Sequence, residues 1–337
     1  VVSANSTAVP ASDVTTASGA TVSDVTVSSS DAVPIEHKYG VTEIVGRPER
    51  IVSIGYGEHE ALLALGVMPI AVREWYGEFP YATWPWAQDE LGDATPAVIP
   101  GDALNFEQIA ALDPDLILGI NSGMTAEDYG TLSAIAPTVA QPADYIDYGT
   151  PWDVAMRITG VAIGLPDEAD AVVARIEALF DEARAAHPEF DGATAAVTFF
   201  FEEQPGAYAS EDARSRVLTR LGFVVPPAID DAAGDEFFVS ISPEDLSLID
   251  LDAVVWIGAG EDFMANIVGI PTRTGTRAYA EGREVFADEI LSGAFSHSSP
   301  LSLEYVLEEL VSELAAAVDG DPATVVPSAV VAGAIPG

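Results

Sequence analysis

The chain has 337 residues, 54 acidic against 13 basic, for a formal net charge of −41, with Lys38 its only lysine and no cysteine at all. So acidic a surface makes nucleic acid a poor partner and stays solvated in high salt, while the lack of thiols excludes disulfides, thiolate metal sites and thiol nucleophiles. The 49% hydrophobic share suits two lobes of ordinary size, yet no apolar run nears the ~18 residues of a membrane span.

Residues 1–33 are mainly Ser, Thr, Ala, Val and Asp, with no aromatic ring and no regular period. Such a composition buries too little surface to offset chain entropy, so a flexible tether is expected. A tether ahead of a globular body favours a processed chain, and an anchoring lipid would then sit upstream of Val1.

The globular part opens with "RIVSIG" (50–55), a short β-branched run that predicts a strand. In "EHEALLALG" (58–66), Ala61, Leu62 and Leu65 share one helical face and Gly66 is a natural stop. Strand "PIAV", helix 106–112, strand 115–119, helix 126–136 and a strand near 138–140 follow. "TPWDVAMRITGVAIGL" reads as helical, and Pro166 opens the longest predicted helix, 166–187. Strand 195–201, helices 212–221 and 243–249, strands 253–257 and 284–286 and a last helix 302–318 complete the pattern. Alternating β and α units predict an α/β fold of two lobes, with mostly parallel sheets flanked by helices. The expected division is a lobe over 34–165, a bridging helix over 166–187, a second lobe over 188–321 and a tail over 322–337.

One phrase occurs twice. "NFEQIAALDPDLIL" (105–118) and "SPEDLSLIDLDAVV" (242–255) align at an offset of 137 residues (244 − 107), which superposes Glu107 on Glu244, Ile109 on Leu246 and Asp115 on Asp252. An internal duplication into two similar lobes follows.

Catalytic motifs are scarce. "SIGYGEHE" places Glu60 where a dinucleotide fingerprint needs its third glycine, and Glu58 puts charge where a pyrophosphate would sit. Gly55 and Gly57 more simply turn the chain at a strand's carboxyl end, where open α/β sheets bind ligands. In "GINSG" Ser122 is one position late for a nucleophile elbow. His37, His59, His187 and His297 have no helical ligand spacing, and His59, between two glutamates, is expected in solvent. No catalytic or metal-ligating set is therefore assigned.

"REWYGEFPYATWPW" (73–86) stands out, with three of the five tryptophans in a stretch that Gly77, Pro80 and Pro85 keep irregular. Either its rings fold on themselves as a small core, or they form a ligand platform with Arg73 to meet acidic oxygens. The platform reading makes Tyr56, Arg73, Trp75, Tyr76, Trp84 and Trp86 candidate ligand contacts. From the second lobe, "FFFEEQPGAYASEDARSR" adds Tyr208 and Arg214, and "AFSHSSP" adds Phe295 and His297.

The segments "RPERIVSIGYGEHEALLALGVMPIAVREWYGEFPY", "NFEQIAALDPDLILG", "NSGMTAEDYGTLSAIAPTV", "GTPWDVAMRITGVAIGL" and "SPLSLEYVLEEL", in that order, resemble the substrate-binding proteins of ABC importers for iron–siderophore complexes, haem and cobalamin, most closely the siderophore members. The resemblance spans most of residues 34–318. It implies two lobes bridged by one long helix, a ligand cleft between them, and an extracytoplasmic, monomeric protein with no permanent cofactor. The implied ligand is a ferric siderophore and the implied partner a permease dimer, on whose arginines one glutamate per lobe docks. Glu107 and Glu244 match that pair, although each could be an ordinary acid in the first turn of a helix. A haem ligand, held by Tyr56 or His297, and a hydrolase on the same scaffold are the alternatives.

Overall fold

The structure, a computed structural model, describes residues 32–101, 103–260 and 262–335. Nearly all of the expected tether lies outside the described residues; Ala32 and Val33 instead open a strand. Strands β1 (Ala32–His37) and β2 (Gly40–Val45) form an antiparallel hairpin whose Ile35 and Ile44 face the first core.

The first lobe is built on strands β3 (Ile51–Ser53), β4 (Ala71–Arg73), β5 (Ala97–Ile99), β6 (Leu116–Gly119) and β7 (Thr138–Ala140). They pair in parallel in the order β5-β4-β3-β6-β7. All but edge strand β5 are buried along their whole length, as strands covered on both faces must be. One core cluster on Leu62 and Val139 and another on Ile109 and Leu132 fill the two faces.

The second lobe uses β8 (Ala195–Phe201), β9 (Gln204–Tyr208), β10 (Phe238–Ser240), β11 (Ala253–Ile257) and β12 (Glu284–Phe286), in the order β10-β9-β8-β11-β12. Here β8, β11 and β12 are parallel while β9 runs antiparallel to its neighbours. The predicted strands 195–201, 253–257 and 284–286 form with those bounds.

Helix Pro166–Ala186 joins the lobes, with Pro166 in its first turn and Asp167 and Glu168 beside the N-terminal end of its dipole. Its first half (Ala169, Val173) packs with Ala61 and Met156 of the first lobe; its second half (Ile176, Phe180) enters the core of the second. A connector so embedded restricts how far the lobes can move apart. Helix Pro300–Val318 adds a further tie, for Leu301 packs against Leu63 and Leu91 of the first lobe.

Two expectations change. The helix expected over 243–249 is only a short 3₁₀ turn, Ser247–Ile249. The hydroxyl of Ser242 accepts from the Glu244 amide at 3.2 Å and the Asp245 carboxylate from the Ser247 amide at 3.0 Å, so local side chains take amides that would enter a helix. Residues set apart as a tail also join the second lobe. Helix Pro327–Val331 lies there, Val326, Ala329 and Ala334 are buried in its core, and the Ser328 hydroxyl donates to Glu313 at 2.7 Å.

Candidate ligand cleft

A cavity of about 470 Å³ lies between the lobes. Loops after the carboxyl ends of β3, β4, β6 and β7 bring Tyr56, Trp75, Asn121 and Tyr148 to it, and the helix Trp152–Ala162 adds Trp152. Parallel strands place their following loops at one edge, so residues distant in sequence converge there. The opposite wall comes from the start of helix Ala213–Arg220, Phe237 and the segment 296–300.

The first-lobe wall is aromatic. The Tyr56 ring stacks on Trp75 (centroids 5.2 Å apart, planes 16° apart) and on Tyr148 (6.0 Å, 13°). Arg73 holds this stack from behind, its guanidinium 4.4 Å from the Tyr56 ring centroid. Its donors go to strand-end carbonyls: Gly101 at 2.8 and 3.2 Å, Ser122 at 3.2 Å and Ile54 at 3.4 Å. Arg73 is thus buried as a clamp and does not line the cavity, because all three of its guanidinium nitrogens donate to backbone.

The aromatic segment divides in two. Trp75 faces the cavity, while Trp84 is 1% exposed and stacks on Trp86 at 4.9 Å. Trp84 also reaches the second lobe: a Cβ on Gly293 would lie 2.4 Å from its ring, so only glycine lets the helix Glu289–His297 approach. Tyr76 crosses Trp75 edge-on at 4.8 Å and, like Trp84 and Trp86, stands behind the wall. Within this stretch the front ring, Trp75, lines the cavity, and Trp84 packs against the second lobe at Gly293.

On the second-lobe wall, Arg214 and His297 line the cavity. Tyr208 lies under Arg214, whose guanidinium is 4.3 Å from its ring, and Phe295 is fully buried in the core, so neither lines the wall. Arg214 meets Asp212 at 3.0 and 3.1 Å. Arg216 reaches across to the Gly149 carbonyl at 3.0 Å, a direct bond between lobes, and to Glu211 at 3.0 Å. Arg220 sits between Glu177 of the bridging helix and Asp153, 4.0 Å away. Tyr148, Trp152 and Arg220 were not singled out from the sequence; an aromatic residue a few positions past a predicted parallel strand, as in "DYGTPW", is the signal that marks the first two.

A buried polar cluster lies beside the cavity. Glu60 accepts from the Trp86 indole at 2.8 Å and from the Ser299 hydroxyl, linking the lobes, and burial pushes its carboxyl up to about 7. Glu58 accepts from the Ile120 amide at 3.0 Å, and burial again lifts it to about 7 against backbone hydrogen bonds that pull it down. His59 is not in solvent as expected: it is 1% exposed and neither ring nitrogen has a protein partner. Burial first, then the nearby His297, lowers it to about 3, so it is neutral. His297 is held by the Gly293 carbonyl at 2.9 Å and lowered by burial to about 4. Among the described residues no group of three or more His, Asp or Glu side chains is placed to hold a metal ion.

Comparison with known proteins agrees with this architecture. A family model described as periplasmic binding protein matches residues 51–291. The probable siderophore-binding lipoprotein YfiY of Bacillus subtilis is 28% identical over 237 residues, covering 68% of this chain and 69% of its own. Among solved structures, a periplasmic solute binding protein from Mycobacterium smegmatis is 32% identical with a TM-score of 0.77, over 85% of this chain and 99% of that one. PiaA of Streptococcus pneumoniae, solved in complex with ferrichrome, is 28% identical with a TM-score of 0.72, over 86% and 99%. The chain belongs to the periplasmic binding protein family.

Proposed function

We propose that the protein captures a ferric siderophore in the interlobe cavity and, from an extracytoplasmic position, delivers it to an ABC-type permease. The observation that carries this reading is the wall pair: stacked Tyr56, Trp75 and Tyr148 facing Arg214 and Arg216 across a cavity sized for a chelate. The names of the relatives support it, YfiY as a probable siderophore binder and PiaA by its ferrichrome complex.

Binding without catalysis fits the same wall. Ser296, Ser298 and Ser299 donate to Ser292 O, Phe295 O and Glu60, so none is paired with an imidazole that could activate it. Haem is the poorer ligand. The Tyr56 hydroxyl donates to the Gly101 carbonyl at 3.2 Å, and His297 is packed among Trp75, Tyr76, Trp84 and Trp86.

Glu107 and Glu244 are the proposed permease contacts. Both are exposed, and each lies on the crossover from the edge strand of its sheet (β5 or β10) to an inner strand (β6 or β11). Glu107 sits in the first turn of a helix capped by Asn105, where dipole stabilisation accounts for an acid; Glu244 lies in a turn, where it does not. Their equivalent placement despite different local structure supports docking by a monomer on a paired permease.

Titration with ferric siderophores tests the reading. Saturable quenching of tryptophan fluorescence is expected, since Trp75 and Trp152 line the cavity, with no response to the iron-free ligand at the same concentration. Equal responses to iron-free and ferric forms would reject the ferric chelate as ligand.

A further inference from the structure

Resting on the siderophore reading, we infer that this cleft selects ferric hydroxamate-type chelates of zero or positive overall charge, and that Asp212 and Glu211 set that limit. Each arginine of the wall already has an acidic partner. The Arg214 guanidinium is 14% exposed and its partner Asp212 only 9%; the Asp212 carboxylate also accepts from the Arg214 amide at 2.9 Å. An anionic ligand oxygen that took Arg214 would strand a buried carboxylate, which costs more than the new contact returns. Arg216 shares its charge between Glu211 and the Gly149 carbonyl, and Arg220 sits between Glu177 and Asp153.

The remaining acid on the wall, Asp147, is paired with Lys38 at 2.5 Å. Carboxylates on the wall therefore match or outnumber the arginines even before the buried Glu58 is added. Several unpartnered polar atoms of the wall belong to neutral groups, the Trp152 indole nitrogen and the hydroxyls of Thr150 and Thr159. Neutral donors beside stacked rings suit hydroxamate and amide oxygens and a compact aliphatic chelate. A catecholate complex brings several negative charges, whereas each guanidinium of this wall already has its charge matched by a carboxylate; the Nε of Arg214 and one terminal nitrogen of Arg220 lack a hydrogen-bond partner but belong to the pairs with Asp212 and Glu177. At a net charge of −41 the whole molecule opposes such a ligand as well.

The test keeps the iron core constant and changes only charge. A linear ferric trihydroxamate with a free terminal ammonium (one positive charge) is compared with its N-acetylated (neutral) and N-succinylated (one negative charge) forms, at fixed salt and pH 7, by fluorescence titration. The first two should bind within about threefold of each other and the third at least about tenfold more weakly, a tenfold ratio being about 1.4 kcal/mol. Asp212→Asn, or the exposed Glu211→Gln if the first fails to fold, should bring the ratio of neutral to anionic affinity most of the way back to one. Equal or tighter binding of the anionic form by the native protein, or variants that leave the ratio unchanged, would overturn the inference. Binding of a ferric catecholate but no hydroxamate would overturn it and leave the siderophore reading standing. Binding of no ferric chelate of any class would remove that reading too.

Discussion

Asp115 and Asp252, 137 residues apart (252 − 115), do the same work in the two lobes. Asp115 accepts from the amides of Glu49 and Arg50, both at 2.8 Å, just before β3; Asp252 accepts from the amide and hydroxyl of Thr194, at 3.0 and 2.7 Å, just before β8. Each aspartate in turn leads into the neighbouring parallel strand, β6 or β11, so one side chain fixes the start of two strands. The repeated phrase is thus a repeated structural joint.

Removing the second joint should cost stability. Burial raises the Asp252 carboxyl, but hydrogen bonds from Thr194 and Arg277 outweigh it and leave the group below its ordinary value. Asp252→Ala should destabilise by about 1–3 kcal/mol, because two donors on Thr194 lose their acceptor. Denaturant melts at fixed salt measure it. A loss under about 0.5 kcal/mol, the usual effect of a surface change, would mean that the joint is incidental.

The buried acids predict a pH dependence of the opposite sign to acid denaturation. Glu58 and Glu60 rise on folding from 4.5 to about 7, so the folded state holds protons that the unfolded chain releases. Their contribution is fully present below about pH 4.5 and is lost as pH rises through about 7. Glu60→Gln keeps an acceptor for Trp86 and Ser299 but cannot ionise, so stability measured from pH 5 to 8 should fall less steeply than in the native protein. An unchanged slope would show that Glu60 does not titrate in this range.

Rings from one aromatic segment should separate in their effects. Trp84→Ala should destabilise the fold by about 3–5 kcal/mol, as a fully buried large side chain does, and Gly293→Ala should also destabilise by pushing a methyl group into the same ring. Trp75→Ala should leave stability closer to native and weaken siderophore binding by about 1–3 kcal/mol. Melts and titrations on the same samples distinguish them. A Trp75 variant with native affinity would place the ligand elsewhere.

Much of this was legible from residue pattern. Strands buried on both faces announce themselves as apolar runs, so β6, β8, β11 and β12 were readable almost to the residue, as was the long helix begun by Pro166. Edge and hairpin strands were not: β5, β9 and β10 are short or carry glycine and proline, and their pairing is decided by neighbours far along the chain. The site was half legible for a related reason. Aromatic residues past a strand pointed to the right edge of the first sheet, but sequence does not tell which ring faces outward, so Trp75 and Trp84 read alike. His59 looked exposed between two glutamates because the surroundings that bury it and Glu60 include His297 and Ser299, more than 230 residues along the chain.

The docking proposal predicts that Glu107→Ala and Glu244→Ala leave chelate affinity and folding nearly native, since neither lines the cavity. Each should weaken permease association by about 1–3 kcal/mol, with a larger effect on encounter rate at low salt. Because the two contacts form together, uptake by the double variant in proteoliposomes should fall far below half. Native uptake by that variant would refute the docking role, and lost chelate affinity would move these residues to the cleft.

The central claim, a ferric siderophore held between the lobes, is tested most directly by native mass spectrometry of the protein with a panel of ferric hydroxamate, catecholate and carboxylate siderophores and haem. The account predicts one iron chelate per chain from the hydroxamate group, retained by the Trp84-intact native protein and diminished in Trp75→Ala. Adducts with haem alone, or with no member of the panel, would contradict it.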